Sequence, residues 1–306
     1  MNASIPIVSC LHSITAALAL AAAGSALAGT AEPAPAKAPP TPDSPLLSWK
    51  ENTISPVANP IYFEDPVIRT EIRPIFAYHR TDSGFVTGDG DAQVYALQLR
   101  LKLTDRLAFI ATKDGYMDLN TDNIDADGWN DISAGFKYAV IDDEANQFIL
   151  TPGFTFSIPL GDEEVFQGRG DGEWDLFVSA AKGFDNAHIT SNIGVRVPND
   201  TDAQSTILHY SLQFDYYVHQ YFIPFVVANG YTVLDGGNNL PLDSEGYDVI
   251  NFGSSLADDV TQLTVGAGFR SRLTKNVDLG FAYEKAVVAP EGLFDDRFTF
   301  DLSIHF

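Results

Sequence analysis

From about Arg69 to Phe306 apolar and polar residues alternate with a period of two, run after run, and no stretch keeps a convincing 3.6-residue period. In 95–103, Tyr95, Leu97, Leu99, Leu101 and Leu103 interleave with Ala96, Gln98, Arg100 and Lys102. In 208–216, Leu208, Tyr210, Leu212, Phe214 and Tyr216 interleave with His209, Ser211, Gln213 and Asp215. Leu263, Val265, Ala267 and Phe269 alternate with Gln262, Thr264, Gly266, Gly268 and Arg270. The last run sets Phe298, Phe300, Leu302, Ile304 and Phe306 against Thr299, Asp301, Ser303 and His305. A period of two sends each set to one face of a strand.

A soluble sandwich alternates as well, and two features decide against it. One set is bulky and aromatic, the other small and polar with scattered charges. A sandwich must bury the aromatic face, whereas a membrane barrel turns it to lipid and wets its own interior. The connections also alternate in length. Short ones fall at 104–106, 141–145, 185–186, 219–220 and 274–276, and long ones near 81–90, 117–128, 159–171, 199–204, 235–258 and 288–295. Short periplasmic turns and long external loops are the pattern of outer-membrane barrels. The fold predicted is all-β, a transmembrane antiparallel β-barrel of about twelve strands with an extended N-terminal segment. The strands start near 70, 91, 107, 130, 147, 173, 187, 205, 221, 260, 276 and 297. An even count leaves both chain ends on the periplasmic side. Residues 247–253 could add a hairpin arm, which makes fourteen strands the alternative.

The region before the barrel reads as two pieces. Residues 1–28 contain an Ala/Leu-rich apolar run and end in Ser25-Ala26-Leu27-Ala28, the form of a secretory signal peptide cut after Ala28. The single cysteine, Cys10, lies within it, so the mature chain can form neither a disulfide nor a thiolate metal site. A lipoprotein reading of Cys10 is weak because almost no apolar run precedes it. Residues 29–66 begin as a Pro/Ala-rich stretch and continue into one with Trp49, Ile61, Tyr62 and Phe63. A plain linker needs no such aromatics. They fit a segment packed on the periplasmic rim or, second, a plug entering the lumen. Residues 67–306 are the barrel.

Charge then narrows the partners. The net charge is −23, which leaves no basic patch for nucleic acid. No window after residue 28 approaches the roughly 18 apolar residues of a transmembrane helix. The expected surroundings are outer-membrane lipid and lipopolysaccharide. The set Phe298, Phe300, Leu302, Ile304 and terminal Phe306 has the form of the signal by which the barrel-assembly machinery recognises a last strand.

Three segments, 103–116 (LTDRLAFIATKDGY), 128–140 (GWNDISAGFKYAV) and 158–184 (IPLGDEEVFQGRGDGEWDLFVSAAKGF), resemble the transporter-like outer-membrane barrels named for the meta-pathway of phenol degradation. The motifs are short, and they spread over much of 69–306. The resemblance implies an outer-membrane uptake channel with hydrophobic or aromatic compounds as cargo. It assigns no binding residue.

The chemistry on offer is a charged lumen. Arg73, Arg100, Lys102, Lys137, Arg196 and Arg270 are expected to face inward with Asp131, Asp175, Asp215, Asp278, Glu284 and Asp301. Of these, Arg100, Lys102, Asp131, Lys137, Arg196, Asp215, Arg270 and Glu284 are the lining candidates. They either select solutes or pair off and stiffen the interior. The acidic loops include Asp118-x-Asn120-x-Asp122, spaced like the first ligands of a calcium loop. Asn123 stands where that loop needs Gly and Trp129 where it needs Glu, so no metal or cofactor is expected. His209 and Ser211 share a strand face, but nothing around them completes a hydrolase triad, so no enzyme is expected. The function expected is a porin-like or uptake channel for small molecules. The alternative is a non-conducting surface barrel whose acidic external loops do the work.

Overall fold

A computed structural model describes residues 48–288 and 292–306. The expected signal segment 1–28 with Cys10 and the Pro/Ala-rich stretch to residue 47 lie outside the described residues.

Twelve antiparallel strands close into a barrel. They are β1 (Glu71–Thr81), β2 (Gly90–Lys102), β3 (Leu107–Lys113 continued by Tyr116–Thr121), β4 (Asp125–Trp129 continued by Ile132–Tyr138) and β5 (Phe148–Ile158). β6 (Glu173–Phe184), β7 (Ala187–Pro198), β8 (Thr206–Tyr216) and β9 (Ile223–Asp235) follow, then β10 (Thr261–Arg272), β11 (Val277–Ala286) and β12 (Asp296–His305). Each pairs with its neighbours in sequence, and β1 pairs with both β2 and β12, from Glu71↔His305 to Arg80↔Asp296. Closure leaves no unpaired sheet edge, which the hydrocarbon of a bilayer would penalise.

Ten of the twelve strand starts fall within a residue or so of the positions read from the alternation, because period-two patterning fixes where a face begins and ends. The largest departure is the connection expected at 117–128. Those residues instead prolong β3 and β4 into a tall hairpin whose tip is closed by the Thr121 amide donating to the Ile124 carbonyl. The prolongation is reached through a bulge. Between Leu99↔Ala111 and Tyr95↔Tyr116 the strand β3 carries one residue more than β2. Gly115 takes φ +101 there, where an added Cβ would stand 2.1 Å from the Tyr95 carbonyl oxygen, and the Asp114 carboxylate accepts from the Leu97 amide. Bulges of this kind break the alternation that makes a strand visible in sequence. The hairpin arm considered at 247–253 is not a strand pair; only the bridges Leu240↔Ser254 and Gly246↔Ile250 occur in that loop.

The aromatic set faces outward. Tyr95, Trp129, Phe136, Trp174, Phe214 and Phe300 are exposed on the barrel exterior. Directly opposed pairs such as Phe76–Tyr95, Phe136–Phe154, Phe269–Phe281 and Phe281–Phe300 hold centroids 5.0–6.1 Å apart across neighbouring strands. The residues of the expected assembly signal, Phe298, Phe300, Leu302, Ile304 and Phe306, are on this outer side, while Arg297, Thr299, Asp301 and Ser303 are buried inside.

Candidate functional site: a barrel interior entered from both ends

Residues 53–66 run inside the barrel rather than along its rim. The entry is a single helical turn, α1 (Trp49–Asn52), fixed by a capping box between Ser48 and Glu51. Trp49 is buried against Ala139, Ile149 and Ala181 of the wall. At this periplasmic end Lys50 lies 2.5 Å from Asp142 and 3.3 Å from Glu144. Burial opposes its charge, but these two carboxylates outweigh that and hold its pKa above the ordinary lysine value.

Past α1 the chain has no partner strand, so its backbone must be satisfied otherwise. The sequence solves part of this with Pro56, Pro60 and Pro66, which have no amide hydrogen to place. Their carbonyls are met by wall side chains: Arg73 donates to Pro56, Gln98 to Pro60 at 2.7 Å and Thr151 to Pro66 at 2.7 Å. Arg270 donates to the Ser55 carbonyl at 3.1 Å and Ser179 to the Glu64 carbonyl at 2.6 Å. Ile54, Val57, Ala58 and Phe63 pack on Ile223, Phe225 and Val227 of β9 and Ala282 of β11. Asn59, at mid-segment, donates its side-chain amide to Ser211 (3.1 Å) and its backbone amide to Glu284 (3.4 Å).

From the external side, the loop 236–260 folds into the mouth. Tyr247, Asp248, Val249, Ile250 and Phe252 are buried. Glu245 holds the loop to itself, accepting from the Ser205 hydroxyl (2.6 Å) and the amides of Phe252 (2.7 Å) and Ser254 (2.9 Å). Tyr247 stacks near Phe294 at 4.4 Å, and its carbonyl accepts from Arg196 at 3.0 Å. Where the two inserted segments approach each other, Pro60 and Ile61 from one and Asp248 and Val249 from the other line a cavity of about 20 Å³. That is room for one or two water molecules.

The interior charges interlock. Asp301 takes both Arg73 (2.6 Å) and Arg270 (2.9 Å). Glu64 of the inserted segment takes Arg100 and Lys137, each at 2.6 Å, and Arg100 also reaches Glu71 at 3.2 Å. Arg196 pairs with Glu173 at 2.9 Å and lies over the Tyr62 ring, whose hydroxyl donates to Glu173. Arg297 joins Glu284 (2.7 Å) to Asp248 (2.6 Å). A charge withdrawn from water needs such a partner, and each of these arginines is only 1% exposed.

Set against the lining expected from sequence, Arg100, Lys137, Arg196, Asp215, Arg270 and Glu284 are all buried in the interior. Asp131 is buried too, but as a loop organiser: it accepts from the amides of Gly161 (3.0 Å) and Gly168 (2.8 Å). Lys102 is no lining residue. It sits at the periplasmic end of β2, half-exposed, paired with Asp105 in the turn. The alternation runs past the point where the wall ends. Arg297, Glu64, Glu173 and Asp248 are missing from the sequence list. Arg297 and Glu173 were legible, two residues before Thr299 and Asp175 on the polar sets of β12 and β6; Glu64 and Asp248 come from a segment and a loop with no period to read. His209 and Ser211 do not form a nucleophile pair. His209 Nε2 is 2.7 Å from Asp175 and the Ser211 hydroxyl accepts from Asn59. Asp118 and Asn120 stand on β3, paired with β4, and among the described residues no group of three or more His, Cys, Asp or Glu could share a metal ion.

No protein-family model matches the chain, and no curated protein matches its sequence. Solved structures do match in shape. The COG4313 outer membrane channel from Pseudomonas putida F1 superposes with a TM-score of 0.57 at 16% identity, covering 83% of this chain and all of that one. The NanC porin superposes at 0.50 with 8% identity, covering 78% of this chain and 98% of that one. At such identities the likeness establishes the fold. The chain is an outer-membrane-type β-barrel.

Proposed function

We propose that the protein is a porin-like outer-membrane channel for small molecules, closed by its own N-terminal segment. The observation that carries this reading is the seat of residues 53–66. The barrel wall is complete without them, yet they fill its centre, joined to β1 through residues 67–70 and held elsewhere by side-chain contacts, those of Trp49 and Lys50 at the entry included. A stiffening element could be built into the wall; a separate segment seated by reversible contacts can leave. The fold's likeness to channels and porins supports the same reading. The resemblance to the meta-pathway barrels would add hydrophobic or aromatic cargo, but the interior of paired charges and amides offers such molecules little apolar surface. Export through a signal peptide, lipopolysaccharide around the exterior and assembly through the C-terminal strand belong to the same proposal.

A second reading has its own support. Arg73, Arg100, Arg196, Arg270 and Arg297 are fully withdrawn from water, as in a barrel that never conducts. Single-channel recording in a planar bilayer separates the two, with the refolded mature chain beside one lacking residues 29–66. Steps from the full chain, or from the truncated chain alone, support the channel, and the second outcome makes the segment its gate. Silence from both, with folding verified, favours the non-conducting barrel.

A further inference from the structure

The interior wall is not uniform. The charged groups cluster away from a ladder on β7, β8 and β9 that carries mostly uncharged polar side chains. Strand pairing sets His188 beside Asp215, Thr190 beside Gln213 and Asn192 beside Ser211, and then Ser211 beside Asn229. Inward residues repeat every second position, roughly 6–7 Å apart along a strand, so the ladder climbs the inner wall along the strands. It starts near the short periplasmic turn at 185–186 and ends at His209.

Its members are 0–5% exposed, and several have unused hydrogen-bonding atoms. Thr190 Oγ1, Asn192 Oδ1, Gln213 Oε1, Asn229 Oδ1, His188 Nε2 and His209 Nδ1 have no partner. Buried polar atoms are nearly always paired, so these six, with Gln213 Nε2 and Asp215 Oδ2 likewise unpartnered on the same stripe, need a cause. The cause is what covers them. Asn59 reaches Ser211, Tyr62 lies 5.1 Å from the His209 ring, and Val57, Ala58 and Phe63 pack against Val227, the cross-strand neighbour of Gln213. An apolar cover cannot satisfy amide oxygens. Elsewhere the segment meets wall donors with its carbonyls; on this stripe it leaves acceptors bare.

We propose that this ladder is the solute-contacting wall of the channel, used by small uncharged molecules bearing hydroxyl or amide donors once residues 53–63 move off it. The inference rests on the channel reading above. Three of the unused atoms are amide oxygens and a fourth is a hydroxyl, so the stripe accepts hydrogen bonds at successive levels. Asp215 on the ladder and Asp175 on the adjacent β6 each have an imidazole nitrogen at 2.7 Å. The permanent cations of the interior, Arg196 of β7 included, are bound to carboxylates outside the ladder. A neutral polyol can therefore exchange hydrogen bonds from rung to rung, whereas an apolar molecule would leave the rungs bare as the segment does.

The test uses the full chain in liposomes and planar bilayers, with xylitol as the neutral probe and potassium chloride as the ionic one. Thr190→Val with Gln213→Met keeps side-chain volume and removes both hydrogen-bonding sides of one rung. We expect xylitol-driven swelling to fall about tenfold, as the loss of two hydrogen bonds implies, with salt conductance unchanged and Thr190→Ser close to the parent. Should the double variant fail to insert, Gln213→Met alone is read the same way. Salt conductance with no xylitol entry, or entry that the variants leave alone or that falls in step with conductance, overturns the ladder and leaves the channel standing. If the folded parent is silent to both probes, the same variants are read in the chain lacking residues 29–66; silence there as well overturns the channel and the ladder with it.

Discussion

Two segments enter this barrel, one from each end, and they are held by opposite means. Residues 53–66 make few bonds among themselves and many to the wall: Arg73, Gln98, Arg100, Lys137, Thr151, Ser179 and Arg270 all donate to them. The external loop 236–260 is tied at both ends and built around its own Glu245, with Arg297, Arg196 and Gln262 as the main wall contacts. A segment without internal structure is stable only in its seat, so loss of wall contacts releases it. A loop with an internal hub keeps its shape whether or not the wall grips it. The first arrangement suits a removable part and the second a fixed constriction.

The sharpest break of that contrast is Glu64→Gln. It strips the shared carboxylate from two buried cations, a change worth about 3–5 kcal/mol where buried pairs lose one member. Occupancy of the seat should fall by a factor of about 100 or more, seen as frequent openings in bilayer recordings and as protease cleavage within 48–66. An unchanged record would mean the segment is not held by charge.

Glu245→Gln comes next. It keeps one acceptor oxygen and weakens the others' bonds, with an expected cost of about 1–3 kcal/mol for a buried donor left short. Hydrogen exchange should quicken at Phe252 and Ser254 while residues 53–66 stay protected. Loosening of both segments together would show that they form one unit joined through Glu284, Arg297 and Asp248.

Asn59→Ala removes the hydrogen bond to Ser211 and should cost about 1 kcal/mol, roughly a fivefold rise in opening. The smallest effect belongs to Lys50→Ala. Its pairs with Asp142 and Glu144 are partly solvated, so the change should stay below about 1 kcal/mol and shrink further as salt is raised. A large Lys50 effect would relocate the anchor from the lumen to the rim.

How much of this the chain announces differs by element. Phe298, Phe300 and Leu302 against Thr299, Asp301 and Ser303 are enough to place β12 and its two faces, since lipid and lumen select opposite side chains on alternate residues. The long hairpin of β3 and β4 was lost to the bulge at Gly115, where one added residue inverts the alternation. Lys102 was misplaced because the period continues beyond the wall. The inward position of Arg100, Lys137, Arg196 and Arg270 was legible for the same reason that the strands were.

The sequence by itself determined the closed antiparallel barrel, its near-exact strand starts, its outward aromatic face and its charged interior. All of these follow from a local rule, the two-residue repeat acting between two solvents. Only the tertiary structure decided what fills the interior. Residues 53–66 and 236–260 have no period, and which carboxylate meets which arginine depends on separations such as the 228 positions between Arg73 and Asp301. Such pairings are set by where closure brings the strands, which no local pattern encodes.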